Sequence, residues 1–257
     1  MKLGICGFGF VGQALYGSLD TDLKIGTDIF IYDKYKDMGS FTDIANCDAV
    51  FLCLPSPTKD GHQDTSEILN TINSLNELIV KPLLIVKSTV LTNFEPIYPN
   101  IVYNPEFLSQ NNARDDFASQ PRIILGGEAH RLKKVESIYN ECFKCYGSNC
   151  FEYCSIDEAI QLKYTHNIYH AYKVLFWNYV QEMTGNQRKV WSLYSEITGA
   201  EISNELAVLC SDGKPGFGGA CFPKDLIAQS GLNPHVLTDF MIKYNTELRP
   251  DEMNDKL

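Results

Sequence analysis

Residues 213–225 read Gly-Lys-Pro-Gly-Phe-Gly-Gly-Ala-Cys-Phe-Pro-Lys-Asp. Glycines at 216, 218 and 219 let the backbone come close to a ligand, as a phosphate or substrate loop must. Cys221 follows that turn and precedes Pro223, which suits the start of a helix. A thiol near a helix N-terminus with Lys224 close by has two reasons for a lowered pKa, hence a reactive thiolate. Such a thiolate can trap an aldehyde as a thiohemiacetal, whose carbon still carries a hydride to give away. A buried cysteine in a flexible loop fits the same residues when the loop is taken alone.

A second group lies upstream. Lys163 and Asn167 are four apart and His170 is three further on, so on a helix all three share one face. Their neighbours Ile160, Leu162, Ile168, Ala171, Val174 and Leu175 are apolar. A Lys and an amide aimed at one point could stabilise an alkoxide developing on a substrate carbon. A solvated stripe is the alternative, and His170 reads as packing or surface because nothing else nominates it.

The third group is Gly7-Phe8-Gly9-Phe10-Val11-Gly12, placed after a strand-like run and before a helical one. The first Gly permits a tight turn, the second lets backbone approach a pyrophosphate, and the third lets helix pack on strand. The helix start offers N–H groups and a positive dipole end to phosphates. The next strand ends at Asp33, 21 residues after Gly12. A carboxylate there can accept from ribose hydroxyls and repels a 2′-phosphate, which favours NAD over NADP. Lys34 and Lys36 stand close enough to soften that preference. The competing reading is a glycine turn followed by a surface Asp.

The elements that must hold these groups follow from the hydrophobic pattern. Strand-like runs occupy Lys2–Cys6, Ile29–Tyr32, Ala49–Leu54, Leu83–Lys87, Ile101–Tyr103 and Ile123–Leu125, with amphipathic stretches at Val11–Leu19, Ser66–Val80 and Ala129–Phe143. That alternation predicts an α/β fold with a Rossmann-type parallel sheet over residues 1–153. Helical patterns at Ile156–Met183, stopped by Thr184-Gly185, then Asn186–Ile197 and Pro234–Leu248, predict an all-helical domain over 154–257.

Composition limits the partners. The 257 residues are 44% hydrophobic and 21% charged, which suits a folded globular chain rather than a disordered one. With Lys and Arg at 22 against 32 Asp and Glu, the net charge is −10, a poor match to nucleic acid or anionic membrane. No apolar run reaches the roughly eighteen residues of a membrane helix. The N-terminus reads as strand and turn rather than as a leader, so a cytoplasmic location is expected. Nine cysteines without an export signal read as thiols. Cys142, Cys145, Cys150 and Cys154 cluster, but the spacer after the CxxC pair is too short for a usual zinc ribbon, so no metal is expected.

Together these motifs resemble the UDP-glucose/GDP-mannose dehydrogenase family over essentially the whole chain. The motifs, in order, are GFGFVG at 7–12, FLCLPSPT at 51–58 with Asp60-Gly61 and Asp64, KSTV at 87–90, NPEFL at 104–108, the Lys163/Asn167 helix, and GFGGACFPKD at 216–225. The resemblance implies an NAD-dependent oxidation of the C6 alcohol of a nucleotide sugar, UDP-glucose or a relative, to a carboxylate, with two NAD per turnover, in polysaccharide biosynthesis. It implies Cys221 as the nucleophile of a thiohemiacetal and then a thioester. It implies that Lys163 and Asn167 hold the C6 oxygen, that Asp225 and Thr89 order water or share proton transfers, and that Glu106 assists hydrolysis. Gly7, Gly9, Phe10, Val11, Gly12, Asp33, Lys34, Pro55 and Thr89 would hold NAD. Lys163, Asn167, Lys224, Phe107, Leu108, Phe217 and Gly218 would meet the sugar nucleotide. A homodimer through the helical domain is expected.

The sequence also departs from the family pattern. Gln110 stands where a second Glu is common, and Asn204-Glu205-Leu206-Ala207 replaces a substrate-contacting Arg-Ile-Gly. The family continues into a nucleotide-binding α/β domain, whereas this sequence stops at Leu257, the expectation being a short form without that domain. Two other functions stay open: a degenerate NAD-binding dimer without turnover, and a two-electron β-hydroxyacid-type dehydrogenase, which has no need of Cys221.

Overall fold

The computed structural model describes residues 1–20, 22–94, 98–109, 112–143, 150–199 and 212–254. Two compact units emerge, one of Met1–Ser56 with Thr65–Lys163 and one of Pro57–Asp64 with Tyr164–Leu257.

The first unit runs β1 Leu3–Cys6, α1 Phe10–Gly17, β2 Ile29–Tyr32, α2 Phe41–Ala45, β3 Ala49–Leu52, then, beyond the excursion at 57–64, α3 Ser66–Asn76. In that excursion the hairpin strands β4 Thr58–Lys59 and β5 His62–Gln63 belong to the second unit. The first unit resumes through β6 Leu83–Val86, β7 Ile101–Tyr103, α4 Ala113–Ala118, β8 Ile123–Gly126, α5 Ala129–Cys142 and β9 Phe151–Cys154. Its sheet has the order β2-β1-β3-β6-β7-β8-β9. Its pairs are parallel except β7 with β8, which meet antiparallel at Tyr103 and Gly126. The Rossmann-type α/β expectation therefore holds. β1, β3 and β6 are buried along their whole length, which explains why they read as continuous apolar runs instead of alternating ones.

Several element ends fall short of the sequence pattern, β3 and α3 among them. The ladder of β3 stops at Leu52, and the Leu54 N–H donates to Ser88 Oγ at 2.9 Å instead of to a strand. Helix α3 stops at Asn76, and Ile79 and Val80 lie exposed beyond it. Pro82 disfavours helical backbone at Lys81 and so bars a helix from passing Val80, but α3 has already ended at Asn76 with Glu77 as its C-cap.

The second unit is built on the 29-residue helix α6 Ile156–Thr184, whose first eight residues count with the first unit. It continues through α7 Gln187–Thr198, α8 Phe222–Leu232, α9 Val236–Leu248 and α10 Pro250–Asn254. Gly185, at φ +67, ends α6 by donating to the Gln181 carbonyl at 2.8 Å. Asn186 caps α7 by accepting the Lys189 N–H, and His235 caps α9 through Nδ1, so that α9 begins at Val236, two residues after the Pro234 start expected. Phe217, Leu226, Ile227 and Met241 form its core with Ala171 and Leu175. Tyr169, Tyr172, Phe176, Tyr179 and Met183 remain exposed along α6.

Candidate functional site

At the C-terminal edge of the sheet, strand order reverses between β1 and β3, the place where open α/β sheets take their ligands. Gly7 leaves β1 at φ +90, and a Cβ there would meet the Cys53 carbonyl oxygen at 2.5 Å. A Cβ on Gly12 would run into the Gly7 carbonyl oxygen, so the third glycine sets the approach of helix to strand. A Cβ on Gly9 would meet nothing within 4 Å, which leaves room over the loop for a pyrophosphate. Gly9 is also the N-cap of α1, and no side chain caps that helix. The first-turn N–H groups of Phe10 and Val11 therefore face a cradle suited to phosphate oxygens.

Asp33, 9% exposed, closes the other side. Its Oδ2 accepts the Phe8 N–H at 2.8 Å, and its Oδ1 accepts those of Tyr35 and Lys36 at 3.0 and 3.1 Å. A carboxylate has about four acceptor positions. The one left, on Oδ2, suits a ribose hydroxyl. The Lys34 ammonium sits on Glu67 at 3.1 Å, and that of Lys36 on the Phe8 carbonyl at 2.5 Å. Pro55 is exposed just past β3, and Thr89, half-buried just past β6, accepts the Ser56 hydroxyl on its carbonyl at 2.6 Å. These residues fit a dinucleotide.

Deeper in the same unit, Lys163 and Glu106 form an ion pair at 3.0 Å, each about 5% exposed at the side chain. Lys163 Nζ also donates to the Glu106 carbonyl at 2.6 Å, and the Leu108 N–H donates to Glu106 Oε2 at 2.8 Å. Burial pushes the Glu106 pKa up, but the Lys163 charge, the Leu108 N–H and the more remote Lys87 together hold it below the ordinary glutamate range. Glu106 is thus ionised, as a base must be. The Phe107 ring lies 5.5 Å from the Lys163 ammonium, while Leu108 packs on the sheet's core.

Lys87, which ends a strand-like run and opens the KSTV motif, is 2% exposed. Its ammonium donates to Asn104 Oδ1 at 2.9 Å and lies 5.4 Å from the Phe117 ring. Burial pushes its pKa down to about 8. The Tyr139 hydroxyl donates to the same Asn104 Oδ1 at 2.6 Å.

The second unit carries the thiol. Cys221, half-buried, is the N-cap of α8, with Pro223 in its first turn. Its carbonyl accepts the Asp225 N–H at 3.0 Å. Asp225, 1% exposed, accepts from Asn167 Nδ2 at 2.6 Å and is paired with the Lys224 ammonium. The Thr58 hydroxyl donates to the Lys224 carbonyl at 2.9 Å. Phe217 is fully buried, Gly218 half-buried. His170 stacks on Phe222 at 6.3 Å and lies tilted against His166 at 4.2 Å.

Cys6, Cys47, Cys53, Cys142, Cys150 and Cys154 are all pushed up by burial, Cys6 and Cys53 to about 12. They are therefore poor nucleophiles. Among the described residues no three His, Cys, Asp or Glu gather as metal ligands, and no helix is long and apolar enough to cross a membrane. Gln110, Cys145 and Asn204–Ala207 lie outside the described residues.

Residues 32–143 match the UDP-glucose/GDP-mannose dehydrogenase family, NAD binding domain. That span takes in Asp33, Pro55, Thr89 and Glu106, and the cofactor is NAD. A UDP-glucose 6-dehydrogenase of Rickettsia conorii is 29% identical over 233 residues, 84% of this chain and 52% of that protein. The chain spans about half the length of the curated relatives it matches. A UDP-glucose dehydrogenase structure from Pyrobaculum islandicum superposes with a TM-score of 0.76 at 18% identity, covering 96% of this chain and 68% of that one. A 3-hydroxyisobutyrate dehydrogenase structure from Mycobacterium tuberculosis gives 0.67 at 13% identity, over 98% of this chain and 94% of that one. At these identities the two structures establish likeness of fold.

Proposed function

The chain belongs, through its NAD-binding domain, to the UDP-glucose/GDP-mannose dehydrogenase family, and on that premise we propose that it oxidises the C6 alcohol of a nucleotide sugar such as UDP-glucose to a carboxylate. The observation that carries this reading is Cys221 at the start of α8, one turn from a buried Asp225 held by Asn167 and Lys224. NAD, when bound, removes a hydride from the substrate carbon at each of two stages. Gly7, Gly9, Gly12, Phe10 and Val11 would bind its phosphates and Asp33 a ribose hydroxyl, with Lys34, Pro55 and Thr89 around it.

In this reading Lys163 and Asn167 hold the C6 oxygen while it carries negative charge. Two of the three Lys163 donor positions are taken by Glu106, which leaves one for the substrate. The Cys221 thiolate bonds to the aldehyde carbon, and the resulting thiohemiacetal gives up the second hydride to become a thioester. Water then attacks that carbon, Glu106 taking the water's proton, and the carbon–sulfur bond breaks to return the thiolate. Asp225 and Thr89 share proton transfers with that water. Lys224, Phe107, Leu108, Phe217 and Gly218 meet the sugar nucleotide. The exposed aromatic stripe of α6 is the face of a homodimer, which light scattering tests, and the enzyme works in the cytoplasm.

A panel of UDP- and GDP-sugars with NADH counted against product tests the reading. Two NADH per sugar, an acid product and no turnover by Cys221→Ala are expected. A second reading, one two-electron oxidation of a small hydroxy acid, is favoured by the likeness over nearly full length to the mycobacterial dehydrogenase. It gives one NADH, and Cys221→Ala keeps its turnover.

A further inference from the structure

The loop that delivers Cys221 is gripped from one corner of the helical unit. Arg249 follows α9, and its side chain is 2% exposed. Its Nε donates to the Pro215 carbonyl at 2.6 Å, and one terminal nitrogen donates to Asp212 Oδ2 at 2.8 Å and Glu252 Oε2 at 2.7 Å. The other terminal nitrogen donates to Asp212 Oδ1 at 2.8 Å and the Lys214 carbonyl at 2.9 Å. All five guanidinium hydrogens are spent, four of them on residues 212–215.

Glu252 passes the grip onward by accepting the Gly219 N–H at 2.8 Å. Asn245, 0% exposed, accepts the Phe217 N–H at 2.9 Å and donates to the Phe217 carbonyl at 3.0 Å. Asn178 accepts the Gly216 N–H at 3.1 Å. Side chains at Gly216 and Gly218 would strike Asn245 and Arg249 respectively, so the glycines give the clamp its access. Hydrogen bonds from Arg249 hold the Asp212 carboxyl well below the ordinary aspartate range.

We infer that Arg249, acting through Glu252 and with Asn245, is the positioning residue that fixes the glycine loop and thereby sets the Cys221 thiol at the start of α8. A buried polar cluster of this cost is out of proportion to ending a helix, and each of its bonds lands on the loop or on Glu252. The inference rests on the proposed role of Cys221, and its test is separable from that role.

Arg249→Lys keeps the charge but loses the planar fork, and Glu252→Gln, at a side chain 30% exposed, removes the negative charge that pairs with Arg249 and accepts the Gly219 N–H. Alkylation of Cys221 by iodoacetamide, followed by mass spectrometry without substrate, gives the ratio of rates at pH 7.0 and 9.5. That ratio should fall about tenfold in Arg249→Lys and by a smaller factor in Glu252→Gln, with circular dichroism unchanged. In turnover, kcat should fall with it while the KM for NAD stays constant. Unchanged ratios in both folded variants overturn the inference. Should Arg249→Lys fail to fold, an unchanged ratio in Glu252→Gln alone overturns it. Loss of alkylation control together with full turnover by Cys221→Ala would sustain the clamp and sink the thioester chemistry instead.

Discussion

Replacing Lys163 by Met removes one half of a buried ion pair and leaves a chain of similar length in its place. At 3.0 Å and an effective dielectric near 20 the gross Coulomb attraction is about 5 kcal/mol. Most of that is offset in the wild type by the desolvation of two charges. Removing one partner is different, because Glu106 stays buried with only the Leu108 N–H and the remote Lys87 in compensation. A loss of about 3–5 kcal/mol is expected at pH 8. The sign with pH separates this from a simple packing defect. In the wild type the Glu106 pKa lies below its unfolded value, so its contribution is present above that unfolded value and is lost as pH falls through the folded one. In Lys163→Met burial dominates, the carboxyl takes up a proton more readily, and acidification relieves the defect. Urea melts of both proteins at pH 8 and pH 5 should show the gap closing at the lower pH. A gap under about 1 kcal/mol at pH 8, or one that does not change with pH, refutes the buried pair.

Lys87→Met tests a second buried charge. Between pH 8 and 10.5 the unfolded wild type holds a proton that the folded protein has lost, so Lys87 makes stability rise with pH by roughly 3 kcal/mol. The penalty is fully present at pH 7; wild type minus Lys87→Met should rise between pH 7.5 and 10, and parallel curves contradict it. Gly12→Ala would gain about 1 kcal/mol of helix propensity if there were space. The Gly7 carbonyl oxygen occupies that space, so the variant should melt lower and bind NAD at least tenfold more weakly by calorimetry, and a higher melting temperature would show the contact is not tight.

The sequence disclosed the parts of the site whose signals are local. Gly7, Gly9, Gly12 and Asp33 stand at fixed offsets from strands that read as apolar runs, and Gly7, Gly12 and Asp33 each have a structural task. Lys163 and Asn167 were placed on one helix face by spacing alone. Their partners were not legible, since Glu106 is 57 residues from one and Asp225 58 from the other. The burial of Lys87 is not legible in its strand, because nothing nearby says that Asn104, 17 residues on, takes its ammonium. The β4–β5 hairpin has two-residue strands, too short for any alternation to register. Arg249 was invisible for a related reason: its anchors lie 34 to 37 residues back, in a loop whose glycines drew attention to the ligand and away from what holds the loop.

The hairpin at 57–64 has a consequence for how the molecule is made. Thr58 bonds the Lys224 carbonyl across 166 residues, and Gln63 bonds Tyr164 across 101. At about 5–20 residues per second, a ribosome exposes Thr58 roughly 8–33 s before its partner exists. The nascent Rossmann-type unit must therefore close around a gap, with β3 and α3 already placed and the strip between them waiting. Such long-range closure is slow. The same threading means that no single cut in the chain separates the two units.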